Sequence, residues 1–355
     1  MATPAEEIEV ETPSGLRTVR LTSPEKVYFP GLGPDGGRKI DLVTYWLTVA
    51  EGAVRAVGER PTVLKRHPGG VTTEAIYQKR VPANRPPWLE TVEVAFPSGR
   101  TAHELCPVDA AHLVWAASYG VIDLHPWPSR RPDVEHPDEL RVDLDPMPGA
   151  SYDDVRTVAG EVRDVLDGCG LVGWPKTSGS KGLHVYVRIT PDWTFTECRR
   201  AVLALGREVE RRRPDLATSR WWKEERGERV FLDYNRMARD QTIASAYSPR
   251  ARPEGTVSAP LGWDEVPDAE VGDFTLVTMR ERWARLGDVH AGMEAAAGSL
   301  LPLLEMAERD EADRGLGDAP YPPQFPKMPG EPLRVQPSRR RRPPGGDGSP
   351  QAPGD

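Results

Sequence analysis

Between residues 141 and 234 the hydrophobic pattern changes period several times, and each change marks an element. Arg141-Val142-Asp143-Leu144-Asp145 has period two, so Val142 and Leu144 share one face of a strand and the two aspartates share the other. Ser151, with Asp154 three positions on, gives a capping box. Val155, Val158, Ala159, Val162, Val165 and Leu166 then follow at helical spacing until Gly168 and Gly170 stop the helix. An apolar segment leads into the small-residue loop Thr177-Ser178-Gly179-Ser180-Lys181-Gly182, and alternation resumes from His184 through Tyr186 to Arg188. Thr194 with Glu197 opens a second helix that ends at Arg213-Pro214, and residues 229–234 read as a closing strand. This β-α-β-β-α-β order predicts an antiparallel, RRM-like sheet with helices on one face, and hence an α+β fold.

Upstream, residues 41–57 read as helices among short strands and prolines, which predicts an N-terminal α/β module packed on the first. The expected boundaries are an acidic lead-in over residues 1–20, a catalytic domain over 21–310 in two modules (about 21–135 and 136–310), and a tail over 311–355. That tail is rich in proline and arginine and is expected to be disordered.

Composition narrows the class. The 38% apolar content and mean hydropathy of −0.53 suit a soluble chain, and no apolar run reaches membrane-spanning length. The N-terminus lacks an apolar core, so no signal peptide is expected. Cys106, Cys169 and Cys198 form no metal-binding spacing and suit a reducing compartment, so a cytoplasmic location is expected. A net charge of −8 argues against coating nucleic acid by bulk electrostatics, but leaves room for a local basic groove.

Three stretches carry candidate chemistry. Asp143 and Asp145 on one strand face would repel unless a hard divalent cation lay between them, although Asp145-Pro146 also suits a strand-end turn. The loop holding Ser178 and Lys181, followed by His184, could cradle an anion with backbone N–H groups, or could be a plain hairpin-like connection. Asp233 ends an apolar strand, as Asp145 does.

Taken together, DLDP, SGSKGLH and FLDY resemble the archaeo-eukaryotic primase superfamily, and most closely the polymerase domain of bacterial end-joining ligase D proteins. The likeness runs from about Leu21 to beyond Trp263. It implies that Asp143, Asp145 and Asp233 hold two catalytic ions, Mn²⁺ or Mg²⁺. Ser178, Lys181 and His184 are implied as triphosphate ligands, and Lys65, His125 and Arg250 as further nucleotide contacts. Lys26 and Lys39 match a 5′-phosphate pocket, Arg226 a DNA contact, and Tyr77 a base-stacking position.

The implied activity is nucleotidyl transfer from an NTP or dNTP to a primer 3′-OH at DNA ends or gaps, in end joining or gap repair. The implied protein is a monomer near the nucleoid, with Ku and a separate DNA ligase as partners. No K-x-D-G ligase motif is present, so a free-standing polymerase module is expected. Three positions depart from the family pattern: Ile76 beside Tyr77 in place of a second aromatic residue, Arg236 where relatives often carry Gln, and Ala246 in place of Pro. Two other readings stand beside this one. A two-metal phosphohydrolase or nuclease could use the same carboxylates, and an impaired paralogue could serve only as a DNA-end scaffold.

Overall fold

The computed structural model describes residues 5–33, 36–96 and 99–331. One compact unit spans Met1–Ala319 and a second spans Pro320–Asp355, of which residues 320–331 are described. Everything below concerns the first unit. The Arg339–Arg342 run of the expected tail lies outside the described residues.

The chain opens with a hairpin, β1 (Ala5–Thr12) and β2 (Gly15–Thr22), where the sequence suggested only an acidic lead-in. Its outer face is Glu, Thr and Arg, which hid the alternation. Val10, Val19 and Leu21 on the inner face are buried, and the hairpin packs against α3 (introduced below). The helices expected over 41–57 are α1 (Lys39–Thr48) and α2 (Ala50–Val57), which meet at Val49. Thr44 and Thr48 donate to the carbonyls of Ile40 and Thr44, four residues back, a pattern that bends helices.

Next come β3 (Thr62–Arg66), β4 (Ile76–Gln78), β5 (Thr91–Ala95), β6 (Thr101–Leu105), helix α3 (Ala110–Ser118) and β7 (Val121–Pro126). These strands form a five-stranded antiparallel sheet in which β7 lies along β3. Val63 faces His125 and Lys65 faces Asp123 across that pair, so the polar residues share one face. Leu64, Ile122 and Leu124 point the other way and are buried.

The second five-stranded sheet has the order β11-β12-β8-β10-β9. It is built from β8 (Glu139–Pro146), α4 (Tyr152–Gly168), β9 (Gly173–Thr177), β10 (Leu183–Arg188), α5 (Phe195–Arg212), β11 (Ala217–Thr218), the single-turn α6 (Lys223–Arg226) and β12 (Val230–Leu232). All its pairings are antiparallel except the short β11–β12 contact. The Ser151 and Thr194 capping boxes both form. Both long helices pack on the face carrying Leu140, Val142 and Leu144, which leaves the opposite face for polar residues.

The chain continues into α7 (Leu276–Leu286) and α8 (Leu301–Arg314). Helix α8 runs through the boundary expected at residue 310. Asp310 is buried there and pairs with Arg211 at 3.1 Å, so the tail begins later than its composition suggested. Among the described residues no helix is long and apolar enough to cross a membrane.

Candidate active site

The polar face of the second sheet carries a row of side chains at one level. Lys176 on β9 lies opposite His184 on β10, and His184 lies opposite Asp143 on β8. The Asp233 N–H donates to the Asp143 carbonyl at 2.9 Å, which adds Asp233 to the row at the end of β12. Asp145 sits two residues beyond Asp143 on the same face. Ligand atoms of Asp143, Asp145 and Asp233 all lie within 4.8 Å of one another. Asp145 and Pro146 are still paired with β12 inside β8, so they form no strand-end turn, and the close approach of the three carboxylates is what the metal-binding reading requires.

The electrostatics of the trio fit a cation. Burial pushes Asp145 up to about 7, and the neighbouring Asp143 adds to the rise. Burial also raises Asp233, against the pull of Arg236. Asp143 is buried too, but His184 and Arg236 outweigh that penalty and hold its carboxyl below the usual range. Carboxylates this close do not all ionise without positive charge between them. A hard divalent ion with oxygen ligands supplies that charge.

Two glycines make the loop beside the trio possible. A Cβ on Gly182 would lie 2.0 Å from the Leu144 carbonyl oxygen, so only glycine lets the loop close against β8. Gly179 has φ +65°, and a Cβ there would press on Arg250 and on the backbone at Val257. The successive N–H groups of Ser180, Lys181 and Gly182, expected to cradle an anion, converge instead on Ser178 Oγ at 3.0–3.2 Å. With three N–H groups donated to its oxygen, the Ser178 hydroxyl keeps its own O–H to give to a ligand. Arg250 Nη1 donates to the Ser178 carbonyl at 2.8 Å and pins the loop from the far side.

One cavity of about 210 Å³ gathers His125, Asp143, Asp145, Ser178, Lys181, His184, Arg236 and Arg250 along its walls. Lys65 joins through Asp123, a buried carboxylate. Its Oδ2 takes Lys65 Nζ at 2.6 Å and lies 3.7 Å from His125 Nε2 and 3.8 Å from Arg250 Nε. Burial would raise Asp123, but His125, Arg250 and Lys65 together keep it below the usual range. The cavity thus brings carboxylates and basic side chains together on one lining.

Sequence reasoning missed Asp123 and Lys176. Lys176 is wholly buried, and its Nζ bonds the Ala244 carbonyl (2.9 Å), Ser258 Oγ (2.5 Å) and His184 Nδ1 (2.7 Å). Lys176 donates to the first two, and its contact with His184 Nδ1 ties the imidazole tautomer to the charge on Lys176; His184 Nε2 lies 3.3 Å from Asp143 Oδ1. Burial, together with Arg250 and Arg141, pulls the Lys176 pKa well down. Burial and Lys176 pull His184 down to about 3. The only signal for Lys176 in the sequence was its position next to Thr177, where it read as part of the approach to the loop.

The other sequence candidates lie apart from the cavity lining. Lys26 is exposed and donates to the Pro68 carbonyl at 2.7 Å. Lys39 is buried, and its Nζ is held by the carbonyls of Thr22 (3.0 Å) and Ser118 (2.6 Å). Burial, with Lys26 and Arg66 nearby, lowers its pKa to about 8, so Lys39 contributes charge from inside the protein. Tyr77 is 69% exposed with Ile76 beside it. Arg226 stacks 3.4 Å from the Phe231 ring centroid and donates to the carbonyls of Arg220 and Trp221. Ala246, the third departure, is buried in the core.

The geometry of the trio and the cavity suits metal-assisted chemistry on an anionic ligand, and similarity to known proteins makes the family specific. The family model described as "LigD, primase-polymerase domain" matches residues 38–290, and the chain belongs to that family. The multifunctional non-homologous end joining protein LigD of Mycolicibacterium smegmatis is 31% identical over 316 residues, covering 87% of this chain and 40% of that protein. The bifunctional LigD of Bacillus subtilis is 28% identical over 271 residues, covering 76% of this chain and 43% of that protein. The chain thus spans less than half the length of these relatives. Among solved structures, the polymerase domain of Mycobacterium tuberculosis ligase D in complex with DNA superimposes with a TM-score of 0.74 at 32% identity. That match covers 79% of this chain and 99% of the other. The α+β fold expected from the sequence is therefore the archaeo-eukaryotic primase fold.

Proposed function

We propose that the chain is a DNA-directed nucleotidyltransferase of the 2.7.7 type. It would add NTPs or dNTPs to a primer 3′-OH at 5′-phosphorylated ends or gaps, in non-homologous end joining or gap repair. The observation that carries this reading is the one cavity that gathers the carboxylates Asp143 and Asp145 with Lys181, Arg250, Ser178 and His184. A hydrolase would need a placed water and a general base, and gives no role to a triphosphate-gripping Lys181 and His184.

In this reading Asp143, Asp145 and Asp233 hold two divalent ions, Mn²⁺ or Mg²⁺. When bound, these ions acidify the attacking hydroxyl and offset charge on the leaving pyrophosphate. Lys181, the Ser178 hydroxyl and His184 Nε2 grip the triphosphate, and preorganised donors of this kind stabilise charge as it develops. Lys65, His125 and Arg250 hold the nucleotide around Asp123. Lys26 meets the DNA 5′-phosphate with Lys39 adding field behind it, Arg226 meets the strand, and Tyr77 stacks on a base, a contact of about 1–3 kcal/mol. The protein works as a cytoplasmic, nucleoid-associated monomer, with Ku and a separate ligase completing the repair.

The test is primer extension on a 5′-phosphorylated gapped duplex with Mn²⁺, supplying NTPs and dNTPs separately, beside an Asp143→Ala/Asp145→Ala double variant. Extension that is lost in the variant supports the reading. Binding of the phosphorylated end without addition from either pool would move the protein to an end-holding scaffold.

A further inference from the structure

Four described residues other than glycine have a positive φ, and Tyr247, at +63°, is the one with a bulky side chain. Such side chains rarely occupy that region. Tyr247 stands third in the turn 245–248, which the Ser248 N–H closes on the Ser245 carbonyl at 3.1 Å. Of the two central residues only Tyr247 has a positive φ, which makes the turn type II. Type II turns favour Pro in second place and Gly or Asn in third. This chain supplies Ala246 and Tyr247, so the turn is selected from outside.

Three helices do the selecting. Tyr45 Oη on α1 donates to the Tyr247 carbonyl at 2.7 Å, inside the core. Tyr247 Oη donates to Asp288 Oδ1 at 2.7 Å, and Arg55 on α2 holds the other oxygen of that carboxylate at 2.6 Å. The Tyr247 ring meets Trp283 of α7 edge-on, with centroids 5.5 Å apart. Gly52 makes room for the ring, since a Cβ there would lie 2.6 Å from it, and glycine inside a helix is otherwise unfavourable. Strain of this kind persists only where the surroundings over-determine it, and it gathers at functional sites.

The turn leads into the cavity. It is anchored to β7 beside His125, where the Ser245 N–H donates to the Leu124 carbonyl at 3.0 Å and Ser248 Oγ accepts the Leu124 N–H at 2.9 Å. The Tyr247 N–H donates to the Ser258 carbonyl at 2.9 Å. Two residues past the turn, Arg250 reaches the Ser178 carbonyl and the cavity lining.

We propose that Tyr247 is a positioning residue: clamped by Tyr45 and Asp288 in a left-handed conformation, it sets the turn that aims Arg250 at the bound nucleotide. This inference rests on the reading of Arg250 as a nucleotide contact.

The test compares the full wild-type chain with Tyr45→Phe, Tyr247→Phe and a Tyr45→Phe/Ala246→Pro double variant. Calorimetry gives the Kd for Mn²⁺ with ATP, primer extension on the gapped duplex separates KM from kcat, and thermal melts report on the fold. Each phenylalanine variant is expected to raise Kd and KM about fivefold, as loss of one buried hydrogen bond would, with kcat within about twofold of wild type. Among the described residues nothing accepts a hydrogen bond from the Ala246 N–H, so proline removes none. Ala246→Pro favours the turn without the clamp and is expected to restore the Kd and KM of Tyr45→Phe. In an Arg250→Ala background Tyr45→Phe is expected to cost no further affinity, because the residue it positions is gone.

Lower melting temperatures with unchanged Kd and KM would make Tyr247 a purely structural residue and overturn the inference. Full loss of affinity on adding Tyr45→Phe to Arg250→Ala would overturn it too. If Tyr45→Phe fails to fold, Tyr247→Phe carries the same comparison. A wild type that binds no ATP with Mn²⁺ would sink the nucleotide reading and the inference with it. Wild-type binding that the variants match would sink the inference alone.

Discussion

At the scale of single residues, the site depends on side chains that act through others. Lys176 is the clearest case. It touches no solvent, and its contact with His184 Nδ1 holds the imidazole in place beside Asp143. Lys176→Met is expected to raise the nucleotide KM and lower kcat by about tenfold to a hundredfold, the usual cost of losing an outer-shell partner. DNA-end affinity, measured by fluorescence anisotropy, should be unchanged. Asp145 gives a pH signature. Its carboxyl is held up near 7 in the folded chain, against about 4 when unfolded. The folded state therefore binds the proton more tightly, and stability falls as pH rises from about 4 to about 7. In chelator, wild type should lose stability relative to Asp145→Asn across that window. Chemical denaturation at several pH values would show it, and parallel curves would refute the raised pKa. Added Mn²⁺ should reverse the trend, because the ion displaces the proton.

At the scale of elements, the site requires close approach between backbone segments. The loop between β9 and β10 lies against β8 because Gly182 has no side chain. Gly182→Ala would meet the Leu144 carbonyl at 2.0 Å, and should destabilise the fold by about 1–3 kcal/mol while removing nucleotide binding. Urea unfolding and nucleotide titration would check the two effects separately. The β1–β2 hairpin is the second case. Deleting it would expose the α3 face that Val10, Val19 and Leu21 cover, at about 1.5–3 kcal/mol for each side chain. It would also remove the Thr22 carbonyl that holds Lys39. A chain starting at residue 23 should be markedly less stable in thermal melts, whereas a dispensable lead-in would leave the melt unchanged.

The same elements show what the sequence disclosed. The sheet carrying β8, β10 and β12 was readable because alternation and capping boxes are local signals, and the trio was readable because two members alternate on one strand and the third ends an apolar strand like it. The hairpin escaped because an outer face of Glu, Thr and Arg reads as a charged run. Asp123 and Lys176 escaped for another reason. Their roles come from partners in distant parts of the chain, such as Arg250 and Ser258, and no local pattern announces that meeting. Lys39 could be named from the sequence, but its burial could not.

At the scale of the whole molecule, the charged groups fall into two regions, to which the proposed function gives separate duties. The cavity gathers Asp143, Asp145, Lys181 and Arg250, while elsewhere Lys26 and Arg66 lie near the buried Lys39 and help lower its pKa. Lys26→Ala should weaken binding to 5′-phosphorylated DNA and leave 5′-hydroxyl DNA binding unchanged, because phosphate contacts position the protein without reading sequence. Equal loss on both DNAs would contradict that assignment. The central claim concerns the cavity, and one measurement reaches it most directly: pyrophosphate released per nucleotide incorporated on a 5′-phosphorylated gapped duplex. Wild type, Asp143→Asn and Lys181→Ala would be compared. The account expects release and incorporation in equal amounts, loss of both in Asp143→Asn, and a nucleotide KM about tenfold higher in Lys181→Ala. Nucleotide turnover without primer extension, or full activity in Asp143→Asn, would contradict it.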